Sequence, residues 1–457
     1  MTLARRSLLL AAVASAVLLA GCARPPKTAS LPPVVFVHGN GDNAGLWTTT
    51  VWRFESNGWP RERLFTVDVP YPLSRDDDAK PQDGRTSAAE NMQAVAAEVD
   101  RALKATGAKQ VVLVGNSRGG NAIRSYVESA AGANKVSQAI LGGTPSHGVY
   151  ADPKSRLGNE FNGAGPFLMG LNAPKGRNGD EVSPQVEWLT VRSDKNDKFA
   201  QPEGTWIGAK GVPTNVTYEG PALKGAWNVE LPGIDHRETS YSPQAFEQAY
   251  RFITGKKPAR TTILPEATVV LDGKVSGLGL NNQQGGFPTN LPLAGATVEV
   301  HLTNPATGER LGPPVHTKTV GADGLWGPFK ANPAATYEFE VSAPGYATTH
   351  IYRQPFPRSS KLVTLLAQRL APADKDALSV VTLTRPRGYF GLPRDTIVLD
   401  GRNPAPGIPV GVAGVATSKL KVTDGANRPV VGEFNGERIA GWAWPAADNH
   451  VVFLELH

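Results

Sequence analysis

Four apolar residues, Val111 to Val114, run straight into Gly-Asn-Ser-Arg-Gly-Gly at positions 115–120, and the chain beyond Asn121 reads as helix. A continuous apolar strand of this kind is expected where helices cover both faces of a sheet. Strand, Gly-x-Ser-x-Gly, helix is the layout of a nucleophile elbow, in which a sharp turn lifts the serine out at the carboxyl edge of the sheet. The serine backbone is strained there, and glycine neighbours let the two arms of the turn pass closely. On this reading Gly115 and Gly119 make room for Ser117.

The surroundings fit a parallel sheet with crossover helices from Pro33 to Gly255, because apolar strands alternate with helical patterns. Val34–Val37, Leu64–Val69, Val111–Val114, Val136–Leu141 and Val186–Val191 read as strands. Residues 86–105 place Ala89, Met92, Val95, Ala96, Val99 and Leu103 at three- and four-residue spacing, so one helical face is buried and Gly107 ends the helix. Asn121–Ala131 reads as another helix. Ser242-Pro243 opens a further helix with Ser as cap and Pro in the first turn, Ala245, Phe246, Ala249, Tyr250 and Ile253 form its stripe, and Gly255 closes it.

After Gly255 the texture changes. Lys256–Arg260 is a linker, and strands at 267–271, 296–302, 337–341 and 361–366 stand between Gly/Pro turns, a β-sandwich pattern. A second boundary falls near 371–374, and residues 377–457 are again turn-rich and β-rich. The expected organisation is a leader at 1–21, a tether at 22–32, an α/β domain at 33–255, a β-sandwich at 262–370 and a β-rich module at 374–457. The 457 residues are too many for one ordinary core. A charged fraction of 19% with a net charge of +6, and no basic run interleaved with aromatics, exclude a nucleic-acid partner.

The leader has Arg5-Arg6 before an apolar run, Leu8–Ala20, that is too short to span a bilayer. It ends in Leu-Ala-Gly-Cys at 19–22, and Cys22 is the only cysteine, so no disulfide can hold the fold. The stretch resembles the lipobox of bacterial lipoproteins. That resemblance implies cleavage before Cys22, lipidation of Cys22, and a cell-envelope location on a membrane; the alternative is a plain secretory signal.

A serine hydroxyl needs a base to take its proton, and in this fold the order is Ser, acid, His. His38 precedes the serine, His147 precedes the plausible acids, and the histidines from His301 onward lie in the β region. His236 remains, on the loop before the last helix. The acid should follow the strand at 187–191, where Asp194 and Asp197 both stand; Asp197 is favoured because Lys-Phe-Ala after it turns the chain back toward the core. Its role would be to fix the imidazole tautomer. The oxyanion hole is assigned to the backbone N–H groups of Arg118 and Asn40, with His38 bracing the His-Gly-Asn-Gly loop.

Val37-His-Gly39, Gly115-Asn-Ser-Arg-Gly119, Gly142-Gly-Thr-Pro145, the loop 192–198 and Asp235-His236 together resemble the α/β-hydrolase superfamily, its bacterial lipases and esterases in particular. Asn116 departs from it, standing where many lipases have His, Tyr or Phe. The β-rich half resembles that of two-domain archaeal and bacterial lipases, and residues 291–300 are similar to transthyretin-like sandwiches. The resemblance implies a serine carboxylic-ester hydrolase working through an acyl-enzyme, without cofactor or metal.

Two other functions remain open at this point: a polyester depolymerase whose β modules bind polymer, and an idle hydrolase domain serving as an envelope binding protein. The same residues would also suit a peptidase. The long segment 146–184, with Phe161, Phe167, Leu168, Met169 and Leu171, is either a lid over an acyl pocket or a small packed helix. Asp76-Asp-Asp78 is read as a solvated charge run rather than a calcium site, and Trp47 as core rather than acyl-pocket lining.

Overall fold

The computed structural model describes residues 31–132, 134–176, 178–201, 216, 219–279 and 288–456; the leader, Cys22 and most of the tether lie outside them. Six strands form one parallel sheet: β1 (Val34–Val37), β2 (Leu64–Thr66), β3 (Val111–Asn116), β4 (Val136–Gly142), β5 (Glu187–Arg192) and β6 (Trp227–Glu230). Their order is β2-β1-β3-β4-β5-β6. This is an α/β-hydrolase architecture. Register brings the strand ends level: Val37 lies beside Gly115, Asn116 beside Gly142, Gly142 beside Val191, and Arg192 beside Glu230. The loops that leave these strands therefore rise from one edge, where open α/β sheets hold their ligands.

The helices are α1 (Thr48–Ser56), α2 (Ala88–Thr106), α3 (Arg118–Glu128), α4 (Pro166–Leu171), α5 (Glu238–Tyr241) and α6 (Pro243–Thr254). Ser87 and Glu90 cap α2 reciprocally, and Gly107 ends it in the left-handed region. Ser242 caps α6 by accepting from the Ala245 N–H, as its sequence predicts. Among the elements that escape the sequence reading are α1, α5 and β6. α1 begins with three β-branched threonines and forms because Trp52 and Phe54 bury completely, Phe54 packing edge-on against Phe246 at 5.1 Å. β6 is an edge strand whose residues are exposed or half-buried, so it carries no apolar run. α3 starts at Arg118, immediately after the serine, not at Asn121.

The C-terminal half is strand-rich. β7 (Thr297–Thr303), β8 (His316–Thr319), β9 (Thr336–Ser342), β10 (Thr348–Arg353), β11 (Ser379–Thr384), β12 (Thr417–Val422) and β13 (His450–Glu455) make one sheet in the order β8-β7-β9-β10-β13-β11-β12. β13 runs parallel to both neighbours. Two separate apolar cores lie against this sheet, one drawn mainly from residues 269–367 and one from 352–456. The first core takes in Trp52 of α1. The linker is laid on α1 as well, with Asn57 accepting from the Arg260 N–H and Arg53 donating to the Thr261 carbonyl.

Candidate active site

Ser117 sits at the β3–α3 turn with φ 51° and ψ −120°, a strained conformation for a residue with a side chain. The turn closes because its neighbours are bare. A Cβ on Gly119 would lie 2.5 Å from the Val37 carbonyl oxygen and 2.6 Å from that of His38. One on Gly115 would lie 2.7 Å from Ile123 Cδ1 and 2.8 Å from the Gly120 nitrogen. So Gly119 lets the elbow lie on the end of β1, and Gly115 lets α3 fold back on β3. The Ser117 N–H donates to the Gly142 carbonyl at 2.8 Å, which ties the elbow to the end of β4.

His236 comes to the same place. Asn116, the residue before the serine, donates through Nδ2 to the His236 carbonyl at 3.3 Å and to Ser240 Oγ at 2.9 Å. The side chain at this position thus anchors the histidine loop. His236 Nδ1 lies 2.7 Å from Asp197 Oδ2. Asp197 is completely buried, and its other oxygen accepts from the Phe199 N–H at 2.9 Å, which fixes the carboxylate plane. An ionised carboxylate can only accept, so Nδ1 is the nitrogen that donates here. Nε2 is buried and has no hydrogen-bond partner. Phe199 packs edge-on against the imidazole with ring centroids 4.4 Å apart. Asp194 does other work: it accepts from the Gly233 N–H at 3.0 Å and the Asn196 N–H at 3.0 Å, fastening the two loops to each other.

His38 accepts from the Val69 N–H through Nε2 at 3.1 Å, and its Nδ1 donates to the Gly39 carbonyl at 2.9 Å. It braces the loop that holds Asn40, whose side-chain oxygen accepts from the Ser74 N–H at 2.8 Å. The Arg118 side chain is fully engaged below the site, on Glu160 at 2.6 Å, Thr86 and the Pro72 carbonyl. Its backbone N–H belongs to the first turn of α3, where helix geometry supplies no internal acceptor.

The segment 146–184 is anchored from beneath. Buried Arg124 donates to the carbonyls of Ser146, Leu171 and Glu181, and α4 buries Leu168 and Leu171. Phe161 is buried with Val149, Tyr150 and Val216, and Phe199 packs on that cluster. Met169 alone of the named apolar residues stands well out, at 60% exposure. The segment thus contains a small packed helix, α4. Trp47 is buried against Phe36, ring centroids 5.1 Å apart. Asp76 and Asp77 pair with Arg85 and Lys80, and Asp78 accepts from the Ala88 N–H at the start of α2.

The sequence reading missed a set of ions around His236. Asp235 and Glu238 form a reciprocal cap: Asp235 Oδ1 accepts from the Glu238 N–H at 2.9 Å, and Glu238 Oε2 from the Asp235 N–H at 2.6 Å. Asp235 Oδ2 takes Arg385 Nη1 and the Tyr389 N–H, both at 2.8 Å. Glu238 takes Arg385 at 2.5 Å and Arg394 at 2.9 Å. Burial pushes the Glu238 carboxyl up, but the two guanidiniums outweigh it and hold it below the usual carboxylate range. Arg237 pairs with Asp42 at 2.9 Å and lies over the Tyr389 ring, as does Lys198. Burial, with Arg237 adding, pushes the Lys198 ammonium down to about 8. The one sequence signal was the run Asp-His-Arg-Glu, a cap signature dense in charge on a loop with little to solvate it.

A parallel sheet, a serine elbow and a histidine loop at one edge give this chain the α/β-hydrolase fold. Residues 33–184 match the palmitoyl protein thioesterase family, and residues 267–370 match the lipase C-terminal domain. Among solved structures the chain is similar to lipase B of Aspergillus fumigatus (16% identity, TM-score 0.34, 51% of this chain and 55% of that one). It is also similar to the lin2722 product of Listeria innocua (18%, TM-score 0.33, 50% and 96%). A third is the lipase BlEst2 of Bacillus licheniformis (19%, TM-score 0.33, 49% and 90%). The chain thus spans little more than half the length of the Aspergillus lipase it matches.

Proposed function

We propose that the protein is a serine carboxylic-ester hydrolase with Ser117, His236 and Asp197 as its catalytic residues. The observation that carries this is the state of His236: its Nδ1 is held by buried Asp197, while its Nε2 is unpartnered in a loop anchored to the residue before Ser117. Ser117 Oγ attacks the ester carbonyl as its proton passes to His236 Nε2. The tetrahedral oxyanion is met by the backbone N–H groups of Arg118 and Asn40. Collapse expels the alcohol, which takes the proton from His236, and leaves an acyl group on Ser117. Water then gives its proton to His236 and attacks the acyl carbonyl; collapse breaks the bond to Ser117 Oγ, which takes the proton back from His236 as the acid leaves. Asp197 stays ionised and stabilises the imidazolium.

The match of residues 33–184 to a thioesterase family favours acyl thioesters as a second substrate class. The same steps serve it, with a thiol leaving in place of an alcohol. A panel of p-nitrophenyl esters from acetate to palmitate, with palmitoyl thioester alongside, tests both. Activity on any of them should vanish in Ser117→Ala and in His236→Ala, since base and nucleophile act as a unit. Hydrolysis that survives Ser117→Ala would refute the assignment. We further propose that Cys22 carries lipid and holds the enzyme at a bacterial envelope membrane. Labelled palmitate should enter the wild type and not Cys22→Ser; label retained by the variant would overturn this.

A further inference from the structure

A cavity of about 240 Å³ lies where the hydrolase domain and both parts of the β-rich half meet, away from Ser117. Polar and apolar residues share its wall; the apolar ones include Leu46 and Trp52 from one side, Ile351 and Phe356 from the second, and Phe453 and Leu456 from the third. Two buried guanidiniums, Arg353 and Arg387, also line it. Arg353 is paired: it meets Glu455 at 2.7 Å and donates to the Thr364 carbonyl at 2.7 Å. Arg387 is not. Among the described residues its guanidinium makes one hydrogen bond, to the Leu456 carbonyl at 3.1 Å, and no ion pair. Its Nε is buried without an acceptor, as is that of Arg353.

Arginine offers five N–H donors and does not give up its charge in proteins, so a buried guanidinium with one acceptor is an uncompensated charge. Burial disfavours the charged form of Arg387 and outweighs the attraction of Glu455, and neighbouring Arg353 adds to the penalty. Glu455 relieves it only in part, because its direct contact is with Arg353, and Asp42 is held by Arg237. Two guanidiniums against one available carboxylate leave a single positive charge over.

We infer that this cavity is a binding site for a monovalent carboxylate with a short apolar chain, its head on Arg387 and its tail along Trp52, Phe356 and Phe453. A planar carboxylate matches the guanidinium fork, one negative charge balances the excess, and the wall accepts a hydrocarbon. Acids of this class are also what ester hydrolysis releases, but the site stands whether or not Ser117 is the nucleophile.

The test uses the full chain carrying Ser117→Ala, so that no turnover interferes, with binding read by calorimetry. Hexanoate should bind at least ten times more tightly than hexanol, which lacks the charge, acetate, which lacks the tail, and inorganic phosphate. Adding Arg387→Met should weaken hexanoate at least tenfold. Hexanoate that does not bind, binds no better than hexanol, or binds the Met variant equally well would overturn the proposal, as would phosphate binding the more tightly. Should the Met variant not fold, crystals of the Ser117→Ala protein soaked in bromide keep the question decidable. An anomalous peak is expected against Arg387, and its absence rejects the site.

Discussion

Arg385, carried on the turn that follows β11, reaches the carboxylate of Asp235 at 2.8 Å, one residue before His236 and 150 residues away in sequence. The same guanidinium holds Glu238 and the hydroxyl of Tyr241. The loop that presents His236 is therefore clamped by the β-rich half of the chain, and the hydrolase domain does not set the position of His236 by itself.

Replacing Arg385 by Met should cost about 3–5 kcal/mol of stability, because it takes from buried Asp235 its closest cation, while Glu238 keeps Arg394. Activity should fall further than the folded fraction does. The double variant with Asp235→Asn should recover part of the loss in urea unfolding. Single and double variants equal in stability would mean that Arg385 does not act through Asp235.

Asp197 and Asp194 stand three residues apart but contact different groups. Asp197→Asn should lower kcat by roughly 10⁴, through the wrong imidazole tautomer. Asp194→Asn should cost about 1 kcal/mol of loop stability and leave kcat within a few-fold. Steady-state kinetics on both variants separates them, and the reverse ranking would move the acid.

Gly119→Ala puts a methyl 2.5 Å from a backbone oxygen of β1, which cannot rotate away. The loss should exceed the about 1–3 kcal/mol usual for overpacking, and esterase activity should go with it. A variant that melts as the wild type does would contradict the close approach of α3 to β1.

Glu338, in the middle of the large sheet, is buried. Burial pushes its carboxyl up, but hydrogen bonds from Arg310 and His350 prevail and hold it at about 2. With the folded value below the unfolded one, the unfolded chain binds the proton first on acidification. The stability from Glu338 is complete above the ordinary carboxylate range and is lost as pH falls from there toward 2. A fall of about 2.5 in pKa corresponds to about 3 kcal/mol. Denaturation curves from pH 6 to 2.5 should show wild type converging on Glu338→Gln by about this amount; parallel curves would refute it.

How much of this was legible in the sequence depends on where each element finds its partners. β3 and the elbow were readable because burial on both faces writes a continuous apolar run and the turn writes its glycines. Asp197 came forward because the residues after it point inward, and the hydrogen bond to His236 Nδ1 is made by Asp197. β6 and α1 were not readable, one lying at a sheet edge and the other driven by tertiary packing against its propensity. β10 was hidden for another reason: Thr349, His350 and Arg353 are polar and yet buried. The clamp on His236 was invisible because Arg385 and Arg394, read singly, look like ordinary solvated charges.

The place of β13 has a consequence for how the chain is made. It is the last of the seven strands to leave the ribosome, and it belongs in the middle of the sheet, between β10 and β11. Until it arrives, both neighbours hold out bare backbone amides and carbonyls along a full edge, the geometry most inviting to a stray strand from another molecule. The nascent polypeptide thus passes through an interval in which its two half-sheets need shelter, and that interval ends only when residues 450–455 slot home.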